Sequence, residues 1–222
     1  MKFLIVTDLE GVVGVEKFAQ TRTRVVEEKL AGMKQLAAEV NACVEGIRSV
    51  DPAAEIDVID GHGYGGLLQE DLIDCRCFDA KDRSRLKHHD ALLIIGQHAM
   101  AGTFNAPLCH TFNSRQVAYY RLNGVFIGET AALMLSAGRE GMPTIFLSGD
   151  DKAVAEALMF QPDLATVITK RGTGLESARH RDARTVCAEI RQTAADAVRR
   201  LGTFRPFQGI AAPYLLEIRH YD

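Results

Sequence analysis

Six side chains in this chain could hold a metal or move a proton: Asp8, Glu10, His62, His98, His110 and Glu129. Singly, each has an ordinary structural reading. A His at the end of an apolar run is commonly a hydrogen-bonded loop residue, and a Glu in the first turn of a helix complements the helix dipole. Together they make a stronger pattern. Asp8 and Glu10 sit one residue apart, directly after the apolar run that ends at Thr7, so both carboxylates point into one crevice. One carboxylate can bridge two cations while the other completes a coordination sphere. Two imidazoles and a third carboxylate give a mixed nitrogen and oxygen set that suits zinc or another divalent first-row ion. Two adjacent carboxylates also repel, and a bound cation removes that repulsion. Two ions held in this way can polarise a carbonyl and generate hydroxide from water near neutral pH.

The elements that must position these residues alternate between strand and helix. Residues 2–7 form a short, continuously apolar run, the pattern of a buried strand. Val26, Leu30, Met33, Leu36, Val40, Cys43, Val44 and Ile47 recur at three-to-four spacing, which predicts an amphipathic helix over 24–49, ended by Asp51-Pro52. Further strands are predicted over 55–59, 90–95, 144–148 and 164–169, and a small hairpin over 117–122 and 124–127 around Asn123-Gly124. Helices are predicted over 128–139, 152–160 and 182–201, with Asp150 and Asp151 placed to cap the second of these. The alternation predicts an α/β fold, a three-layer αβα sandwich around a largely parallel sheet. It predicts one α/β domain over 1–205 and a short extension over 206–222, with one strand at 214–219. In such sheets ligands bind beyond the carboxyl ends of the strands, where Asp8, Glu10, His62 and His98 fall.

Composition narrows the function classes. The chain has 222 residues, 47% hydrophobic and 25% charged, with a formal net charge of −3. Its basic residues are scattered, so there is no electrostatic footprint for nucleic acid. No stretch reaches the roughly 20 apolar residues of a membrane span. Five cysteines, Cys43, Cys75, Cys77, Cys109 and Cys187, form no CxxC pair, and their odd number fits incidental thiols in a reducing compartment. A cytoplasmic location is expected.

The motifs Thr7-Asp8-Leu9-Glu10-Gly11-Val12-Val13-Gly14, Asp60-Gly61-His62, Gly96-Gln97-His98-Ala99-Met100, Cys109-His110-Thr111, Ile127-Gly128-Glu129 and Gly149-Asp150-Asp151 stand in one order along the chain. In that order the chain resembles the D-aminopeptidase (DppA-type) binuclear zinc metallopeptidase family, over residues 1 to about 205. The resemblance implies two zinc ions per subunit, with ligands at Asp8, Glu10, His62, His98 and Glu129 and Asp8 as the bridge. It implies a non-ligand catalytic histidine at His110, suited to proton transfer or to stabilising an oxyanion. It also implies hydrolysis of short peptides or amides with a free N-terminal amine, a preference for D-residues, and a ring-shaped homo-oligomer such as a pentamer or decamer. The chain departs from the family in a shorter C-terminal part, and in Asp60-Gly61-His62 where the family often has Asn-Asp-Ser-His.

Two other readings compete. A haloacid-dehalogenase-like magnesium phosphatase would use Asp8 as nucleophile and Gly149-Asp150-Asp151 as its late metal motif, but it leaves three histidines idle. A non-catalytic metal-binding α/β module would keep the ligands without turnover. Asn113 and Arg115 are candidate substrate contacts. The glycine-rich stretch 61–66 lacks a P-loop's Lys-Ser/Thr and reads as a mobile rim of the site. His88 and His89, beside Lys81, Arg83, Arg85 and Lys87, read as solvated surface, as do His180 and His220.

Overall fold

The structure, a computed structural model, describes residues 1–78 and 88–222. The chain enters through β1 (Lys2–Thr7), crosses in α1 (Val26–Val50) and returns through β2 (Glu55–Asp60), the edge strand β3 (Arg76–Phe78) and β4 (Ala91–Gln97). A hairpin of β5 (Val117–Leu122) and β6 (Val125–Ile127) leads into α2 (Glu129–Arg139). Then come β7 (Thr144–Asp150), α3 (Asp151–Phe160), β8 (Ala165–Gly174), β9 (Ser177–His180), α4 (Ala183–Arg199) and β10 (Leu216–His220).

Among the described residues the main sheet has seven strands in the order β3-β2-β1-β4-β7-β8-β9, parallel throughout except at β9. Side-chain alternation along each central strand divides the core in two. From β1, Phe3 and Ile5 pack with Leu36, Val40, Val44 and Ile47 of α1 and Val186, Ile190 and Ala194 of α4. Leu4 and Val6 point the other way, toward Ala131, Met134 and Leu135 of α2 and Val154 and Ala157 of α3. The expected three-layer α/β sandwich is therefore present. Caps fix the helix starts: Asp150 accepts from the backbone N–H groups of Lys152 and Ala153, and Asp182 from that of Thr185. The hairpin and β10 form a separate three-stranded antiparallel sheet in the order β10-β5-β6.

The sequence pattern misses β3 and β9 and shortens β8. β3 is a three-residue edge strand, and beyond Thr169 the β8–β9 hairpin carries mostly polar, exposed residues. Neither has an apolar alternation to read. His89 corrects a second expectation. It is buried, and its Nε2 lies 3.0 Å from Asp57 Oδ2, while Arg76 Nε donates to Asp57 Oδ1 at 2.9 Å. A buried carboxylate on β2 recruits it from the surface, whereas His88 stays exposed. The basic stretch with Lys81, Arg83, Arg85 and Lys87 lies outside the described residues.

Glu39 of α1 is also fully buried. It accepts from Val13 N–H at 3.1 Å and from Gln35 Nε2 at 2.9 Å, with its other oxygen unpartnered among the described residues. Burial pushes its pKa up to about 7, from an ordinary value of 4.5. Between those pH values the folded chain binds the extra proton. The stability contributed by neutral Glu39 is thus complete below its unfolded pKa and lost as pH rises through about 7. At about 1.4 kcal/mol per pH unit the loss is on the order of 3 kcal/mol. Glu39→Gln keeps the acceptor for Val13 without the charge, so urea denaturation across this range should show a flatter pH profile for the variant than for the wild type.

Candidate metal centre

Strand order places the site. The chain runs from β1 out to β2 and β3, then returns to pair β4 on the other side of β1, which opens a switch point between the carboxyl ends of β1 and β4. Two glycines let these ends interlock. Asp8 N–H donates to Ile95 O at 2.8 Å and Gly11 N–H to Gly96 O at 2.7 Å. A Cβ on Gly11 would lie 2.1 Å from Gln97 O; Gly96 adopts φ +77°, and a Cβ there would lie 2.2 Å from Asp8 O.

The interlock brings the sequence-distant acids and histidines together. His98 Nε2 lies 3.2 Å from Asp8 Oδ2 and 3.5 Å from Glu129 Oε1. His62 Nδ1 lies 3.3 Å from Asp8 Oδ1 and 3.1 Å from Glu10 Oε2. His110 Nε2 lies 3.8 Å from Glu129 Oε1, and its ring stacks on that of His98 with centroids 4.0 Å apart. Two sets, Asp8/Glu10/His98 and His98/His110/Glu129, each bring their ligand atoms within 4.8 Å of one another.

The remote nitrogen of every ring faces a backbone carbonyl: His62 Nε2 donates to Thr21 O at 2.9 Å, His98 Nδ1 to Ala99 O at 2.9 Å and His110 Nδ1 to Leu108 O at 2.9 Å. These bonds fix ring orientation and leave the nitrogen that faces the acids to carry either a proton or a metal. His98 Nε2 and Glu10 Oε2 are buried, and each meets its charged neighbours at 3.1–3.5 Å without hydrogen-bond geometry. Orphaned atoms aimed into a cluster of ligand-competent side chains fit a divalent cation.

The electrostatics agree. Burial and the charge of Glu10 push Asp8 above its ordinary pKa, against the attraction of the His62 and His98 imidazoles. Burial opposes ionisation of Glu10 as well, but His62 and His98 outweigh it and hold Glu10 well below the usual range. His62 is likewise opposed by burial, and its two carboxylate partners lift it to about 11. The acids thus draw in positive charge. His110 behaves differently: burial, then the neighbouring His98 charge, lower its pKa, so it is the neutral imidazole of the cluster.

The loop that carries His110 is conformationally unusual. Leu108 (φ 56°) and Phe112 (φ 59°) flank it in the left-handed region, which costs roughly 1–2 kcal/mol each for residues with a Cβ. That geometry turns Leu108 O toward His110 and Phe112 N–H toward Glu129 Oε1, at 2.7 Å. Asn113 spends its side chain locally: Oδ1 accepts from Arg115 and Gln116 N–H, and Nδ2 donates to Gln116 Oε1. Arg115 instead lines a cavity with Arg22. The expected mobile rim is tied down, since Asp60 Oδ2 accepts from Gly66 and Leu67 N–H and the Lys29 ammonium donates to the carbonyls of Tyr64 and Gly65.

Sequence reasoning missed Lys170 and Glu156. Lys170 of β8 is fully buried, and its ammonium donates to the carbonyls of Glu10, Val12 and Val15. It thereby clasps the loop that presents Asp8 and Glu10. Glu156 of α3 accepts from Met100 N–H at 2.7 Å, and its other oxygen lies against Gly128, so it ties together the loops that carry His98 and Glu129. Carbonyl and N–H partners carry no residue identity, so only the isolated charge inside an apolar strand or helix face could have signalled either residue. Replacing Lys170 by Met would strand three carbonyls at about 1–3 kcal/mol per unsatisfied group. We expect Lys170→Met to lower stability by about 3 kcal/mol or more. Zinc affinity should fall about 10–100-fold, as for other supporting contacts of metal ligands. Thermal unfolding of metal-free protein and chelator competition would read the two effects.

The phosphatase reading fails on this geometry. Asp150 is committed to capping α3, and Asp151 accepts from Gly172 N–H and from the Lys152 ammonium, while the histidines crowd Asp8.

Comparison with known proteins gives the same direction. The sequence profile of a family described as D-aminopeptidase matches residues 1–222. Among solved structures, the fold is similar to that of the Zn-dependent D-aminopeptidase DppA from Bacillus subtilis, described as a self-compartmentalizing protease. The TM-score is 0.90 at 21% identity, over 100% of this chain and 82% of that one. At that identity the likeness is one of fold. No curated protein sequence matches the chain.

Proposed function

The chain belongs to the D-aminopeptidase family, and from that premise we propose that it is a zinc-dependent aminopeptidase acting on short peptides or amides with a free N-terminal amine and a D-residue first. The observation that carries this reading is the convergence of the buried Asp8, Glu10, His62 and His98 with the half-buried Glu129, with each imidazole fixed by a backbone carbonyl. Those five residues would hold two zinc ions, and Asp8 is the acid of the set that lies within 4 Å of both His62 and His98. When bound, the ions polarise the scissile carbonyl and activate water near neutral pH.

The chain's own groups supply the rest. His110, neutral and beside Glu129, is placed to take a proton from the attacking water on its free Nε2 and return it to the leaving amine, with Leu108 O holding its Nδ1–H so that Nε2 faces the reacting centre. Its ring stacks on the His98 face with centroids 4.0 Å apart, which keeps Nε2 aimed without a further hydrogen bond. Assembly into a homo-oligomer is part of the proposal. The small sheet leaves Val125, Phe126, Leu216 and Ile218 exposed, a concentration of apolar surface that suits subunit contact. No helix among the described residues is long and apolar enough to cross a membrane.

Elemental analysis of purified protein, followed by assays on paired D- and L-aminoacyl amides, tests the reading. Zinc at two per chain with faster hydrolysis of the D-substrates is the expected result. Metal-replete protein that cleaves neither enantiomer would leave only the non-catalytic alternative.

A further inference from the structure

A cavity of about 700 Å³ opens beside the metal centre, lined by Phe18, Gln20, Arg22, Glu28 and Arg115 among others. Its place follows from two segments that flank the ligands. Thr21 accepts from His62, so Arg22 begins one residue from a ligand contact, and Ser114 and Arg115 follow His110 by four and five residues. Arg22 bridges the two segments: its Nε donates to Ser114 Oγ at 2.9 Å and its Nη2 to Ser114 O at 3.0 Å. Its guanidinium also stacks 3.2 Å over the Phe18 ring, which sets the plane of the fork.

Both partners at Ser114 are neutral. Neither Arg22 nor Arg115 forms an ion pair among the described residues, and the Arg115 side chain makes no hydrogen bond there. After burial, the nearby Arg115 charge is the largest influence that lowers the Arg22 pKa, so the two cations share one space. Two guanidiniums without an ion pair, one of them held rigidly, share the cavity with a single carboxylate, Glu28, which leaves net positive charge for an anion, and arginine forks match carboxylate geometry.

We infer that Arg22 and Arg115 bind the C-terminal carboxylate of a short peptide substrate, making the enzyme selective for free peptides over their amides. The inference rests on the aminopeptidase reading and deepens it. Arg22 lies close enough to Glu10 to feel its charge, which puts the cavity within reach of a short peptide whose free amine and scissile carbonyl are at the metals.

The test compares kcat/KM of zinc-loaded protein for D-alanylglycine, for D-alanylglycinamide, and for the α-amide of D-alanylaspartic acid, whose only carboxylate is on the side chain. A charge-assisted contact predicts that the wild type prefers the free dipeptide over its amide by about 10–100-fold. Arg115→Gln should shrink that ratio at least about tenfold, and Arg115→Lys should restore part of it. Because the Arg115 side chain makes no internal contact, circular dichroism should show the variants folded. Equal rates on dipeptide and amide in the wild type, or a ratio unchanged in Arg115→Gln, would overturn the assignment while leaving the aminopeptidase reading intact. An aspartyl amide cleaved as fast as the free dipeptide would overturn it too, by assigning the arginines to an acidic side chain. Failure on all three substrates would instead sink the aminopeptidase reading itself.

Discussion

Asp8→Ala should yield a folded protein that binds no stoichiometric zinc and has lost at least about 10³-fold in kcat/KM. Among the described residues Asp8 is the acid that lies within 4 Å of both His62 and His98, so its loss removes a contact to each half of the proposed centre. Carbonyl polarisation and water activation by bound metal are worth several kcal/mol, and each 1.4 kcal/mol is about tenfold in rate. The structural cost is smaller. Alanine removes the acceptor for Leu9 N–H, worth about 1 kcal/mol, and relieves the repulsion from Glu10 that raises the Asp8 pKa. Metal analysis, circular dichroism and steady-state kinetics on one preparation separate the effects. A variant that retains both zinc ions and near-wild-type kcat would remove Asp8 from the centre.

His110→Ala should abolish turnover with the metals in place. General acid–base groups contribute about 10²–10⁴-fold, and the loss is expected in kcat, since proton transfer belongs to the transition state. The geometry alone permits a ligand role, because His110 shares a potential metal set with His98 and Glu129. Its neutral character and its longer 3.8 Å approach to Glu129 favour the proton-transfer role. Zinc content is therefore the decisive readout: unchanged metal with kcat lost assigns the proton, whereas loss of one zinc per chain makes His110 a ligand. The left-handed residues on both sides predict that shortening this loop would be as damaging as the substitution.

Much of the fold was legible in the residues. The three-to-four spacing of Val40, Val44 and Ile47, and the apolar runs that end at Thr7 and Ile95, are local signals of burial, and burial on both faces is what a parallel central strand requires. The ligand candidates were legible as well, because strand ends carry ligands in such sheets and four residues there were acids or histidines, while Glu129 opens a helix. Less was legible at the edges. His89 sits in a polar stretch and is buried only because Asp57, thirty-two residues earlier on a neighbouring strand, needs a partner. Arg115 could be nominated from its nearness to His110, but Arg22 could not, since its bridge to Ser114 spans ninety-two residues.

The sequence by itself therefore determined which side chains this protein can bring to chemistry, and the layered fold that presents them at one sheet edge. Side-chain type and periodicity are properties of neighbouring residues, and they survive without coordinates. Only the tertiary structure decided that the acidic pair after β1 meets His62, His98 and Glu129, that Lys170 holds the loop in place, and that two arginines without ion-pair partners among the described residues line one cavity. Those facts depend on strand order, on the close passage of Gly11 against Gly96 and on which backbone carbonyls remain to be satisfied. A carbonyl has no residue type, and a charge is unpaired only with respect to neighbours that folding supplies.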